Sequence, residues 1–117
     1  MKKVLEQHEF LKDMAKLIYF ADQQGIVLTG GELYRTKEQQ SIYVNTGKSK
    51  TMHSKHMERL AIDFNFFIKG VLTYKKSDIQ VLGDYWESLN KSKSSTNVWG
   101  GNWKNFVDTP HFARELQ

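Results

Sequence analysis

The sequence predicts an α+β fold: a small, mainly antiparallel sheet flanked by helices. Three observations lead there. Helical and strand periodicities follow one another without the regular βαβ repetition of a parallel sheet. The strongest apolar run, Leu60 to Ile68, is followed by Lys69-Gly70 and then Val71 to Tyr74, the pattern of a hairpin. Hydrophobic residues make up 39% and aromatics 13% of 117 residues, enough for one modest core without cross-links. One domain over residues 1–117 is expected.

The elements can be justified in order. Val4, Leu11, Met14, Leu17, Ile18 and Ala21 recur at helical spacing over residues 3–24, with His8 in phase and Gly25 as a stop. Ile26 to Tyr34 reads as a strand in which Gly30-Gly31 allows a bulge or a close backbone approach. Thr36 is placed to cap a short helix to Asn45, with Glu38 and Gln39 in its first turn. Residues 46–55 are loop by composition, and Arg59 to Ile68 is a strand. Ser77 is expected to cap a helix from Asp78 to Leu89 with Ile79, Leu82, Tyr85, Trp86 and Leu89 on one face. Asn90 to Asn97 reads as a polar loop, and Val98 to Trp103 and Pro110 to Leu116 as two closing strands.

The formal net charge is +4, which favours an anionic partner such as nucleic acid, lipid or a wall polymer. Lysines outnumber arginines and scatter through loops and helix faces, and no nucleic-acid motif is present. A stacking platform built on Trp86, Trp99 and Trp103 is therefore disfavoured, and no nucleic-acid partner is expected. Trp99 and Trp103 are read as core or as walls of a cleft. The chain has no cysteine, so any bound metal must use nitrogen and oxygen ligands. Met1-Lys2-Lys3 is followed by Glu6, Gln7, His8 and Glu9, which leaves no apolar segment of a signal peptide. No run reaches the roughly 18 apolar residues of a membrane span. The expectation is a monomer made in the cytoplasm, without membrane insertion.

The candidate site comes from three separated residues. Alternation along Leu60–Ile68 puts Leu60, Ile62, Phe64, Phe66 and Ile68 on one face and Ala61, Asp63, Asn65 and Phe67 on the other. Asp63 thus points away from the apolar layer, and an ionised carboxylate there requires a positive partner. His111 likewise alternates with Phe112 and stands one step from Ala113. With His56 these form a His, Asp, His set that suits Zn²⁺ on the open face of the sheet, leaving a fourth tetrahedral position for water. Asp108, held three residues before His111 across Thr109-Pro110, is placed as a base beside the metal. His53 and His8 are read as ordinary surface or core histidines, His53 being only a weak alternative ligand.

The segment Ser54-x-His56-x-x-Arg59-x-Ala61-x-Asp63 resembles the SxHxxGxAxD signature of the zinc D-Ala-D-Ala carboxypeptidase family, which includes VanX- and VanY-like peptidases and phage L-alanyl-D-glutamate endolysins. Asp108-x-Pro110-His111-Phe112 resembles the family's second signature, and Glu32-Leu33-Tyr34-Arg35-Thr36 with Gln39-Gln40 an upstream block. Arg59 stands where the signature usually has Gly, and Ala113 where an acidic residue often follows His-Phe. The resemblance implies zinc ligands at His56, Asp63 and His111, and a general base at Asp108. It implies an oxyanion-stabilising role for Arg35, and substrate-contacting or supporting roles for Ser54 and Gln40. It further implies hydrolysis of peptidoglycan stem peptides at the L-Ala-D-Glu bond by a phage or prophage endolysin, which stays in the cytoplasm until released to the wall. The alternatives are a D-Ala-D-Ala carboxypeptidase and a non-catalytic, wall-binding phage structural protein.

Overall fold

The computed structural model describes residues 1–92 and 95–116. Helix α1 (Lys2–Gln23) leads into β1 (Ile26–Gly30), α2 (Lys37–Asn45) and a short 3-10 turn, Lys55–Glu58. The chain continues through β2 (Ala61–Ile68), β3 (Val71–Thr73), α3 (Lys76–Ser88), β4 (Ser95–Trp99), a 3-10 turn at Gly100–Asn102, and β5 (His111–Leu116). The fold is the expected α+β arrangement. Every strand pair is antiparallel, in the order β1-β2-β5-β4, and β3 shares the β5 edge of β2.

The β2 alternation holds as expected. Ile62, Phe64 and Phe66 are buried, while Asp63, Asn65 and Phe67 are less so. The turn into β3 uses Lys69 and Gly70, both at positive φ, 51° and 79°, which suits the twist of a two-residue hairpin. Phe112 of β5 sits at the centre of the aromatic core, with ring contacts to Phe64, Phe66, Trp86 and Trp99. Helices α1 and α3 cover this face, and Phe10 meets the edge of Trp86 at 5.6 Å. Gly83 and Gly101 leave the room that the Trp99 ring fills; a Cβ on either would stand 2.1 or 2.2 Å from it. Trp99 is therefore core.

Four elements differ from expectation, each for a physical reason. The apolar stripe chosen for α1 is displaced: Val4, Leu11 and Ile18 are exposed, and the buried side is Phe10, Asp13, Leu17 and Ala21. Helix α3 starts at Lys76 rather than under a Ser77 cap, because Asp78 is already in its first turn, accepting from the Thr73 hydroxyl at 2.8 Å. Strand β1 ends at Gly30, after which only Gly31 N and Glu32 O still pair with Asp63 before the chain turns toward α2. Finally, Ser95 to Asn97 is strand rather than loop, and 100–103 is not strand. Residues 93 and 94 of the expected polar loop lie outside the described residues.

The last difference and the α1 displacement share a cause. Arg114 alternates with Phe112 toward the helices and is 2% exposed. Its Nε donates to Glu6 at 2.7 Å and its Nη1 to Asn97 Oδ1 at 2.8 Å. Asn97 Nδ2 donates to Asp13 at 3.0 Å, and Ser95 donates to the other Glu6 oxygen at 2.9 Å. Glu6 and Asp13 fall in phase with Phe10 and Leu17, so the buried stripe of α1 is partly ionic. The polar residues of β4 are interior because this network satisfies them.

The network carries a pH dependence. The Arg114 hydrogen bond, opposed by burial and aided by Ser95, holds the Glu6 carboxyl below its ordinary value of 4.5. A depressed folded-state value adds stability above the unfolded value that is lost as pH falls through the folded one. Thermal midpoints are expected to fall between pH 5 and pH 3, and Glu6→Gln is expected to flatten that slope while lowering the midpoint at pH 7. Parallel slopes for both proteins would exclude Glu6 as the titrating group.

Candidate active site

The structure brings together the residues that the sequence set apart. Asp63 and His111 are directly paired across β2 and β5, next to the pair Ala61 and Ala113. Both point to the face opposite α1 and α3, as the alternation requires. His56 arrives from the 3-10 turn, which Ser54 caps by accepting from the His56 amide at 3.2 Å. The resulting ligand atoms lie within 4.8 Å of one another. His56 Nε2 is 3.3 Å and His111 Nδ1 3.5 Å from the same oxygen, Asp63 Oδ1.

The hydrogen bonding around this cluster is incomplete in an informative way. His56 Nδ1 lies 3.1 Å from the Leu33 carbonyl, so it carries the proton and Nε2 presents its lone pair to Asp63. His56 Nε2 and Asp63 Oδ1 are both buried without a hydrogen-bond partner among the described residues. Two facing acceptors in a buried site require a cation or a proton between them. Burial would raise the Asp63 carboxyl, but His111 and His56, when protonated and donating to it, hold it well below the usual carboxylate range, and a cation in place of those protons acts in the same direction. The carboxyl is ionised, and a His, Asp, His donor set of nitrogen and oxygen fits a divalent metal.

Gly31 makes the Asp63 position possible. Its amide donates to Asp63 O at 2.8 Å, and a Cβ at residue 31 would stand 2.7 Å from that oxygen. Gly30, by contrast, has open space around it. Gly31→Ala is expected to destabilise the fold by about 1–3 kcal/mol and to weaken metal binding, read by thermal melting and metal titration. Gly30→Ala serves as the mild comparison.

Asp108 and Arg35 face the same open cleft, of about 290 Å³, together with His56, His111 and Trp103. Asp108 is clamped from both sides. Its amide donates to Gly100 O at 3.0 Å, and its carbonyl accepts from His111 N at 3.2 Å. The neighbouring Thr109 hydroxyl donates to Tyr74 O at 2.7 Å, and Thr109 O accepts from the Trp99 indole at 2.8 Å. A Cβ on Gly100 would stand 2.3 Å from Asp108 O, so only glycine allows this approach. The Asp108 side chain makes no hydrogen bond among the described residues, and burial raises its pKa, with the His111 charge opposing. It is not among the clustered ligand atoms.

Ser54 lines the cleft, whereas Gln40 is fully enclosed. Gln40 Oε1 accepts from Arg35 Nη1 at 2.6 Å, and its amide nitrogen is spent on Ser49 and Thr51. Of the two roles considered for it, the geometry gives support of Arg35 and no substrate contact. His53 lies on the cleft rim and is exposed, outside the cluster, and His8 is exposed on α1. Trp103 is partly exposed, with its ring 4.9 Å from that of His111, and forms a cleft wall. Residues that sequence reasoning missed are Glu32 and Tyr43, both bonded around Arg35. Helical spacing of Gln40 and Tyr43 at i, i+3 was the available signal.

A family model described as D-alanyl-D-alanine carboxypeptidase matches residues 47–114. The chain belongs to this peptidase family. Its match begins in the loop before Ser54 and ends at Arg114, enclosing all three clustered ligands and Asp108. The chain is also similar to the L-alanyl-D-glutamate peptidase of Listeria phage A118, 38% identical over 96 residues. That alignment covers 82% of this chain and 33% of the phage protein, so the chain spans about a third of the length of that curated relative. Among solved structures it is similar to the Serratia marcescens L-Ala D-Glu endopeptidase ChiX, with a TM-score of 0.67 and 25% identity. The likeness covers 91% of this chain and 79% of ChiX.

Within this peptidase domain the two departures from the family pattern have local explanations. Arg59 closes the 3-10 turn in the left-handed region at φ 58°, which is why glycine suits the position. Its guanidinium lies 4.1 Å over the Tyr34 ring and lines a separate groove against Val4 and Leu11. The bulky cation therefore leaves the cleft clear. Ala113 is fully buried opposite Ala61, where the pair is small on both sides.

Proposed function

We propose that the chain is a zinc metallopeptidase domain that hydrolyses peptidoglycan stem peptides at the L-Ala-D-Glu bond, as the lytic part of a phage or prophage endolysin. The observation that carries the metal is the buried pair of acceptors, His56 Nε2 and Asp63 Oδ1, facing each other at 3.3 Å. The bond assignment is supported by two relatives, each named for L-alanyl-D-glutamate cleavage. His56, Asp63 and His111 would hold the zinc. When bound, zinc supplies Lewis acidity and lowers the pKa of water at the site.

The chain's own residues do the rest. Asp108, whose carboxylate makes no hydrogen bond among the described residues and faces the cleft, accepts the proton of the attacking water and passes it to the leaving amine as the C–N bond breaks. Arg35, fixed at Nε and Nη1, aims its remaining donors at the charge developing on the carbonyl oxygen. Trp103 walls the cleft beside His111. The net charge of +4 favours approach to an anionic wall polymer.

The family description itself favours a second reading, removal of terminal D-Ala. Purified peptidoglycan, treated with zinc-loaded and with chelator-treated protein, tests both. Turbidity is expected to fall with zinc, hold with chelator and recover on zinc addition. Mass analysis then distinguishes peptides released at L-Ala-D-Glu from loss of single alanines. A protein that holds one zinc and cleaves nothing would point to wall binding alone, and a protein that holds no zinc would overturn the metal assignment.

A further inference from the structure

We propose that Glu32 and Tyr43 are positioning residues for Arg35, and that the Tyr43 hydroxyl, more than its ring, sets the direction of the guanidinium across the cleft. The inference rests on the reading of Arg35 as the group that stabilises the oxyanion.

Arg35 sits between β1 and α2 on a stretch without regular secondary structure, tied by its amide to His56 O at 3.2 Å. Such a backbone does not by itself aim a long side chain. The aim comes from side-chain partners. Nε donates to Glu32 Oε1, and Nη1 donates to Gln40 at 2.6 Å and Ser54 at 3.2 Å. Nη2 makes no hydrogen bond among the described residues and is left for the cleft.

Glu32 is itself held at both oxygens. Its second oxygen, Oε2, accepts from the Tyr43 hydroxyl at 2.8 Å. The same tyrosine carries the Arg35 guanidinium carbon 4.6 Å over its ring centroid. Tyr43 and Gln40 are about one helical turn apart on α2, so a single helix face supplies a ring and an amide oxygen to Arg35 and a hydroxyl to Glu32. A carboxylate held at one oxygen can rotate about its chain, and the arginine bonded to it would follow. Holding both oxygens removes that freedom, which is what preorganisation of a charge-stabilising group requires. The hydrogen bond to Glu32, with burial, raises the Tyr43 pKa, so the hydroxyl stays a donor through the neutral range.

The test compares Tyr43→Phe, Tyr43→Leu and Glu32→Gln, each alone and combined with Arg35→Ala. Readouts are steady-state hydrolysis of a stem peptide by zinc-loaded protein, bound zinc, thermal midpoint, and the arginine Nε–H signals in nitrogen-edited NMR. Tyr43→Phe is expected to lower kcat about tenfold with KM within about twofold, because the lost alignment matters in the transition state. Zinc content should be unchanged, Tyr43→Leu should lose more, and neither change should add loss once Arg35 is alanine. The Arg35 Nε–H resonance should move in Tyr43→Phe and Glu32→Gln. An undiminished Tyr43→Phe loss in the Arg35→Ala background would overturn the proposal, as would an unmoved resonance with unchanged kcat. Should the unmodified protein cleave nothing, the oxyanion role of Arg35 falls, while the resonance still decides whether Tyr43 orients it.

Discussion

Replacing Asp108 by asparagine is expected to lower peptidoglycan hydrolysis by about 10²- to 10⁴-fold, the usual contribution of a positioned acid–base group. Zinc binding should persist, since Asp108 is outside the cluster of His56, Asp63 and His111. The backbone clamps on Gly100 and His111 do not involve the carboxylate, so the fold should be little changed. Glu115 supplies the control. Among the described residues it is the other carboxylate lining the cleft, projecting from β5 on the same side as His111. Glu115→Gln should retain most of the activity. A dead Glu115→Gln beside an active Asp108→Asn would reassign the base. Activity is measured by turbidity with quantified products, and metal by direct analysis of the same samples.

Arg114→Met is expected to cost about 3–5 kcal/mol of stability, the range for breaking a buried ionic network at one member. Removing the guanidinium strands Glu6, Asp13 and Asn97, which it joins on the helix-facing side of β5. Denaturant unfolding and thermal melting read the loss directly. Adding Glu6→Gln to Arg114→Met should recover part of it, because an unpaired carboxylate becomes neutral. At temperatures where Arg114→Met is still folded, zinc content and hydrolysis per folded molecule should be close to normal. A large loss of zinc in folded Arg114→Met would show that the network also shapes the metal site.

The first prediction concerns the cleft side of the sheet, just ahead of β5, and the second the helix-facing side of β5 itself; the sequence revealed only the first. The open-face residues were legible because β-strand alternation is strict. Phe64 and Phe112 declare the core side, which puts Asp63 and His111 on the other. The Thr36 cap and the Lys69-Gly70 turn were legible for the same local reason: each depends on a side chain or a φ value within a few residues. The helix-facing network was hidden. Ser95, Asn97, Asp13 and Arg114 look like solvent-facing residues until their partners are known, since a polar group is buried only where something distant satisfies it. Counting apolar residues alone therefore shifted the α1 stripe toward Val4, Leu11 and Ile18, and placed β4 too late in the chain.

By itself the sequence determined the donor chemistry of His56, Asp63 and His111, the strand faces on which the last two stand, and the carboxylate and arginine available beside them. Tertiary structure decided the β2–β5 register that sets Asp63 opposite His111, and the Leu33 carbonyl that turns the lone pair of His56 toward Asp63. It also decided that Gln40 supports Arg35 from within the protein instead of reaching the cleft. The physical reason is range: rotamers, caps and pleats are set by neighbours in sequence, whereas register and hydrogen-bond satisfaction depend on which distant segments pack together.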